Sequence, residues 1–235
     1  MTATDQMRVA VTGAAGALGE AVAHYFDQAG ARVAHIDISE EVLGRTYARR
    51  NHRHLYIACD LTDPEDTRHA FQNVLGPFGG IDVLANIAGG FRMGAPVHET
   101  SGEDWDFLFE LNARTVMHTA SAVVPTMKRQ GHGKIINVGA KAGLSGLPNM
   151  GAYTASKAAT IRLTEAMSEE LRGYNINVNC VMPSLIDTPT NRADMPDADH
   201  EKWAPPDEIA KVVGFLASSD ARIVHGAAIP VPHLS

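Results

Sequence analysis

Short apolar runs alternate with segments of helical periodicity along almost the whole chain. Several of these runs are apolar at every position, which is typical of strands that are covered on both faces. Such an alternation predicts a doubly wound α/β fold (a Rossmann fold), with a parallel sheet of about seven strands and helices on both faces. The predicted strands are residues 8–11, 32–38, 54–58, 81–87, 134–138, 176–181 and 227–231.

One long stretch between the predicted elements lacks regular periodicity. Residues 183–206 are rich in Pro, Asp and Asn and precede a predicted helix at 206–218. A long irregular segment inside a compact domain is usually functional, and a lid over a binding site is a common case. We therefore expect residues 1–235 to form a single domain with a lid at about 184–206. The other predicted helices are 18–29, one that begins at Pro64, 103–130 and 152–172.

Charge and composition exclude several classes of partner. The formal net charge of -7 argues against nucleic acid, because phosphate binding depends on clustered Lys and Arg. No apolar run is long enough to span a membrane, and residues 1–8 lack the apolar core of a signal peptide. Two isolated cysteines make no disulfide framework, and the histidines show no metal-ligand spacing. We expect a cytoplasmic protein without a metal.

Three glycines join the first predicted strand to the first predicted helix. Gly13, Gly16 and Gly19 are spaced three residues apart. Glycines at this position let the backbone approach a pyrophosphate, which then lies at the positive end of the helix. Asp37 ends the second predicted strand, where an acid accepts hydrogen bonds from ribose hydroxyls and repels a 2′-phosphate. These features favour NAD over NADP, although a tight turn and a solvated acid are the alternatives.

A tyrosine and a lysine lie four residues apart in the predicted helix 152–172. Tyr153 and Lys157 therefore share one face of that helix. An ammonium group beside a phenol favours the phenolate and is expected to lower the pKa of Tyr153 toward neutrality. Such a tyrosine is a usable proton donor or acceptor opposite a hydride transfer.

Five motifs occur together in a specific order: TGAAGALG at 12–19, NIAG at 86–89, Asn112, YTASK at 153–157 and PSLIDT at 183–188. In this combination the chain resembles the short-chain dehydrogenase/reductase family. The resemblance implies catalysis by Tyr153, Lys157 and Asn112, with Asn112 holding a water that relays protons to Lys157. It also implies a homodimer or homotetramer formed through the long helices. The implied cofactor contacts are Gly13, Ala15, Gly16, Leu18, Gly19, Asp37, Asp60, Leu61, Asn86, Ala88, Gly89, Tyr153, Lys157, Pro183, Ile186 and Thr188.

One expected residue is missing from this pattern. The family normally carries a serine thirteen positions before its tyrosine, and this chain has Ala140 there. Removing one donor to a developing oxyanion typically costs about 2.7–4 kcal/mol. The segment VGAKAG at 138–143, Phe91 after a glycine pair, and residues 187–199 with Trp203 are similar to the dihydropteridine reductases, which lack this serine.

That second resemblance implies hydride transfer from NADH to a small cyclic acceptor such as a quinonoid dihydropterin. The substrate contacts expected on this basis are Phe91, Ala140, Met150, Asn191 and Trp203. An alcohol or ketone oxidoreductase that tolerates Ala140 is the same-fold alternative. A non-catalytic NAD-binding sensor or scaffold is an alternative of another class, against which the retained Tyr153, Lys157 and Asn112 argue.

Overall fold

Seven parallel strands form one sheet in the order β3-β2-β1-β4-β5-β6-β7. A computed structural model describes residues 7–234 of the chain. The strands are β1 Arg8–Thr12, β2 Arg32–Asp37, β3 Leu55–Ala58, β4 Val83–Asn86, β5 Gly133–Val138, β6 Ile176–Pro183 and β7 Ala228–Val231. The predicted doubly wound parallel sheet is confirmed.

Helices cover both faces of the sheet. They are α1 Ala17–Gln28, α2 Glu40–Thr46, α3 Pro64–Phe78, α4 Gly102–Phe109, α5 Thr115–Gln130, α6 Gly151–Leu171, α7 Pro189–Asp194 and α8 Pro206–Ala217. Neighbouring residues of β1 point to opposite faces: Val9 and Val11 pack in a core with α1 and α8. Ala10 packs in a second core with α3 and α5. Burial on both faces explains why the strands are apolar throughout.

The start of α3 shows how local sequence sets an element boundary. The carboxylate of Asp63 accepts hydrogen bonds from the backbone N–H groups of Glu65 and Asp66. Pro64 occupies the first turn, where its missing N–H costs nothing. This cap confirms the predicted start of the helix.

Three features differ from the prediction. The predicted helix 103–130 is divided by a π-helical segment, Glu110–Arg114, between α4 and α5. Helix α2 was not predicted, because its seven residues are too few for a periodic pattern. The irregular stretch 183–206 contains α7 and a short 3₁₀ turn, His200–Lys202, since Pro189 and the side chain of Thr188 start a helix within it.

Candidate active site

A cleft of about 1530 Å³ lies at the carboxyl ends of the parallel strands. Ligand pockets usually measure about 300–1,000 Å³, so this cleft has room for a dinucleotide and a small substrate together. Its position, beside the point where the strand order reverses between β1 and β4, is where doubly wound sheets bind ligands. The predicted residues that line it are Gly13, Ala15, Gly16, Leu18, Gly19, Asp37, Asp60, Leu61, Ala88, Gly89, Phe91, Ala140, Met150, Tyr153, Lys157, Pro183, Ile186 and Asn191.

The turn from β1 into α1 has no space for side chains at two of its glycines. A methyl group on Gly19 would lie 1.9 Å from the carbonyl oxygen of Gly13, and one on Gly13 would lie 2.8 Å from the Cα atom of Ala88. Gly13 also has a φ of +62°, which disfavours side chains. Gly16 caps α1 without a side-chain bond, so the first turn of the helix is open to the cleft. This cradle fits a pyrophosphate.

Side chains at the end of β2 and directly after α2 hold the outer side of this turn. The carboxylate of Asp37 accepts hydrogen bonds of 2.8 Å from the backbone N–H groups of Ala15 and Ile38. The hydroxyl of Tyr47 donates a 2.7 Å hydrogen bond to the carbonyl oxygen of Ala14. Asp37 therefore shapes the turn as well as facing the cleft. Sequence reasoning missed Tyr47, because no local pattern links it to a turn more than thirty residues earlier.

The proposed catalytic pair lies at the opposite end of the cleft. Tyr153 and Lys157 both line the cleft, one turn apart on α6. The ammonium group of Lys157 donates a 3.0 Å hydrogen bond to the carbonyl oxygen of Val138. The ring of Phe91 meets the ring of Tyr153 edge to face, with 4.9 Å between the ring centroids. The phenol is thus packed on one side by another aromatic ring.

Burial dominates the titration of both groups. It lowers the pKa of the Lys157 ammonium to about 8 and raises the pKa of the Tyr153 phenol to about 12. The expectation that Lys157 lowers the pKa of Tyr153 is therefore wrong for this geometry. The reason is that the ammonium group binds the carbonyl of Val138, while the phenol loses hydration on burial. At neutral pH the tyrosine is a proton donor.

Asn112 lies in the π-helical segment and clamps a backbone segment of the cleft. Its carboxamide oxygen accepts a 2.9 Å hydrogen bond from the N–H of Gly90, and its amide group donates at 3.0 Å to the carbonyl of Gly90. The amide group also donates to the hydroxyl of Ser156 at 3.1 Å. The side chain is buried, so it acts behind the wall of the cleft.

The profile of the short chain dehydrogenase family matches residues 7–199. The chain belongs to the short-chain dehydrogenase family. Like the other members, this short-chain dehydrogenase is an oxidoreductase that uses a nicotinamide cofactor, and the Gly-rich cradle, Asp37 and the Tyr153–Lys157 pair fit such a group.

Relatives of this short-chain dehydrogenase match almost its whole length. The 2-(R)-hydroxypropyl-CoM dehydrogenase of Xanthobacter autotrophicus is 37% identical over 93% of this chain and 94% of its own. The cyclopentanol dehydrogenase of Comamonas testosteroni is 34% identical over 95% of this chain and 94% of its own. The crystal structure of an NAD+-bound xylitol dehydrogenase superposes with a TM-score of 0.88 at 28% identity, covering 96% of this chain and 97% of that one. None of these three is a dihydropteridine reductase, so that finer likeness remains a prediction.

The substrate end of the cleft is mostly apolar. Ala140, where the family normally has serine, is buried and lines this end. Charged side chains stand among the apolar ones: the carboxylates of Glu110 and Asp194, and the lysine Lys141 directly after Ala140. The apolar lining residues are Phe91, Met93, Phe107, Leu111, Ala142, Leu147, Met150, Leu185, Ile186 and Met195.

Four predicted site residues are placed behind the cleft rather than in its lining. The amide of Asn86 donates to the carboxamide oxygen of Asn137 at 2.9 Å, and Asn112 clamps Gly90 as described. The hydroxyl of Thr188 caps α7 by accepting the N–H of Asn191. Trp203 is buried, with its ring 4.4 Å from that of His200. Through these contacts they position the wall of the cleft.

Two further properties concern the described chain as a whole. Within residues 7–234, none of the helices combines the length and the apolar character required to cross a membrane. The same residues contain no group of three His, Cys, Asp or Glu side chains that could hold a metal ion.

Proposed function

We propose that this short-chain dehydrogenase uses NADH to reduce a small cyclic acceptor. The observation that carries the proposal is the composition of the substrate end, where Tyr153, Phe91 and Ala140 line a mostly apolar wall. A nicotinamide cofactor supplies the hydride when it is bound. Because burial raises the pKa of Tyr153 to about 12, the phenol holds the proton that a reduction consumes.

The remaining residues of the proposed site have distinct tasks. Lys157 binds the nicotinamide ribose and replenishes the proton of Tyr153, while Asn112 fixes the glycine segment that faces Lys157. Asp60 and Leu61 border the adenine. Pro183 and Ile186 border the nicotinamide, and Thr188 fixes this segment by capping α7. Residues 184–206, including Asn191, form a lid over the substrate, with Trp203 anchoring the lid in the core.

The proposed preference for NADH over NADPH rests on Asp37. Its carboxylate lines the adenosine end of the cleft and would repel a 2′-phosphate. We expect NADH to bind at least about tenfold more tightly than NADPH, a difference of about 1.4 kcal/mol. Titration of the protein with both cofactors, followed by nicotinamide fluorescence, measures the ratio. Equal affinities would contradict the proposal.

The matched variant for this prediction is Asp37→Asn. An asparagine keeps an oxygen that accepts the N–H of Ala15, whereas an alanine would also release the turn that Asp37 holds. We expect Asp37→Asn to reduce the ratio of NADH affinity to NADPH affinity, mainly because NADPH binds more tightly to the variant. A loss of affinity for both cofactors would show that the carboxylate acts on the turn rather than on the ribose.

Two classes of cyclic acceptor fit the cleft. A quinonoid dihydropterin delocalises the charge that develops on reduction, so the missing serine at position 140 costs less for such an acceptor than for a simple ketone. A cyclic ketone is the second candidate, favoured by the named activity of the cyclopentanol dehydrogenase relative. NADH oxidation with quinonoid dihydropterin, cyclopentanone and cyclohexanone compares them.

The variant Ala140→Ser separates the two classes. An added hydroxyl can donate to a growing alkoxide, so we expect kcat/KM for cyclopentanone to rise by about tenfold or more. For quinonoid dihydropterin we expect no gain or a loss, because the buried oxygen needs a partner of its own. Equal gains for both substrates would remove the support for quinonoid dihydropterin as the acceptor. Absence of turnover in the wild type and in Ala140→Ser, with intact NADH binding, would favour a non-catalytic NAD-binding sensor or scaffold.

The assembly and location of the protein also remain proposals. Trp105 of α4 and Met117 of α5 expose about half of their surface, 46% and 50%, on the helices through which we expect a homodimer or homotetramer to form. Both cysteines, Cys59 and Cys180, are buried free thiols, which suits a reducing compartment such as the cytoplasm.

A further inference from the structure

The π-helical segment between α4 and α5 brings Asn112 into the interior of the protein. The N–H of Thr115 bonds to the carbonyl oxygen of Glu110, five residues earlier, instead of four as in an α-helix. A π-helical turn is rare and is often found at functional sites. One contact from outside the segment bonds directly to the backbone of Asn112.

Thr160 of α6 supplies such a contact. Its hydroxyl donates a 2.8 Å hydrogen bond to the carbonyl oxygen of Asn112, and it lies 3.2 Å from the carbonyl oxygen of Ser156 in its own helix. The side chains of Thr160 and Asn112 are both buried. The buried Thr119, by contrast, donates only within its own helix, to Thr115 at 3.0 Å and to Val116 at 3.1 Å. The bond from Thr160 therefore joins two separate elements.

The position of Asn112 determines the position of a glycine pair in the cleft. The Asn112 carboxamide binds both backbone groups of Gly90. A methyl group on Gly89 would lie 2.9 Å from the carboxamide oxygen of Asn112 and 3.0 Å from the Nζ atom of Lys157. Both side chains thus close around Gly89, and a shift of Asn112 would change the space beside the Lys157 ammonium.

We infer that Thr160 is a positioning residue for hydride transfer: its hydroxyl holds the Asn112 carbonyl and so fixes the Gly89–Gly90 segment beside Lys157. The effect on turnover rests on the proposed reduction of a cyclic ketone by NADH. The effect on the glycine segment does not depend on any substrate. The two effects can therefore be measured separately.

Hydrogen exchange tests the structural half of the inference. The variant Thr160→Val keeps the shape of the side chain and removes the hydroxyl. We expect the amide of Gly90, followed in peptides that cover residues 87–91, to exchange about tenfold faster, because its bond to Asn112 opens more often. The control Thr119→Val removes a hydroxyl that is equally buried but bonds only within α5, and exchange at 87–91 should be unchanged.

Kinetics with NADH and cyclopentanone test the catalytic half. Thr160→Val should lower kcat by about tenfold with KM and NADH affinity within about twofold, whereas Thr160→Ser should restore most of the turnover. In the Asn112→Ala background Thr160→Val should have less than about a twofold further effect, because the side chain through which it acts is gone. If Thr160→Val does not fold, Thr160→Ala is compared with Thr160→Ser instead. Both variants lack the methyl group of threonine, and only Thr160→Ala also lacks the hydroxyl group.

Three results would overturn the inference. They are unchanged exchange at 87–91 in Thr160→Val, equal losses in Thr160→Val and Thr119→Val, and an equal loss of kcat with and without the Asn112 side chain. Faster exchange at 87–91 without turnover of cyclopentanone would support the positioning role of the Thr160 hydroxyl. The same result would count against cyclic ketones as the substrates.

Discussion

Replacing Tyr153 with Phe is expected to lower kcat by about 10²–10⁴-fold, the usual contribution of general acid catalysis. The phenol lines the cleft one helical turn from Lys157, and its pKa of about 12 keeps it protonated at neutral pH. Phenylalanine keeps the ring that packs edge to face on Phe91 and removes only the hydroxyl group. NADH affinity should stay within about twofold, a change of less than about 0.5 kcal/mol.

The control for this variant is Tyr174→Phe. Tyr174 is 46% exposed and lies in the 3₁₀ turn that follows α6, outside the lining of the cleft, so its hydroxyl should not affect turnover. Rates of NADH oxidation and the fluorescence titration are compared in both variants. Full activity of Tyr153→Phe would mean that water or the substrate supplies the proton, and the role assigned to Tyr153 would have to be abandoned.

Replacing Gly19 with Ala is expected to disrupt the cofactor cradle. The new methyl group would lie 1.9 Å from the carbonyl oxygen of Gly13. The carbonyl oxygen is a backbone atom and the position of the methyl group is fixed by the backbone, so neither can turn away and the turn itself must move. Overpacking of this kind typically costs about 1–3 kcal/mol of stability. NADH affinity should fall by about 100-fold or more, which corresponds to about 2.7 kcal/mol, because the displaced turn no longer presents its backbone to a pyrophosphate.

The matched control is Gly44→Ala in α2. A methyl group on Gly44 would meet no atom within 4 Å, and alanine raises the helix propensity by about 0.8–1 kcal/mol. Urea unfolding and NADH titration should therefore show unchanged or slightly higher stability and unchanged affinity. If Gly19→Ala behaves like Gly44→Ala in both measurements, the close packing of the turn is not required for the cradle.

The fold was predictable because its signals are local and repeated. The strand β1 alternates its side chains between two cores, so an apolar run there indicates a strand covered on both sides. The Asp63–Pro64 cap was predictable from the sequence because it acts locally, on the two residues that follow it. Helix α2 escaped prediction because seven residues hardly show a period of 3.6.

The site was predictable where a motif carries the chemistry and less so where distant segments meet. The glycines of the cradle and the Tyr153–Lys157 pair were proposed from their spacing together with the elements and motifs around them. The contact of Tyr47 with Ala14 spans 33 residues, and that of Thr160 with Asn112 spans 48, so neither leaves a sequence pattern. The rise in the pKa of Tyr153 likewise depends on burial, which spacing does not reveal.

Transfer of deuterium from the cofactor tests the central claim most directly. NADH deuterated at both C4 positions is incubated with the protein and cyclopentanone in one reaction and with the protein and quinonoid dihydropterin in another. The masses of the products are then measured by mass spectrometry. We predict that cyclopentanol gains one carbon-bound deuterium for each NADH oxidised and keeps it in ordinary water. A deuterium received at a ring nitrogen of the pterin exchanges with water, so for that acceptor the oxidation of NADH is the readout. NADH that binds tightly but is oxidised by neither acceptor, or cyclopentanol formed without the label, would contradict direct hydride transfer in this cleft.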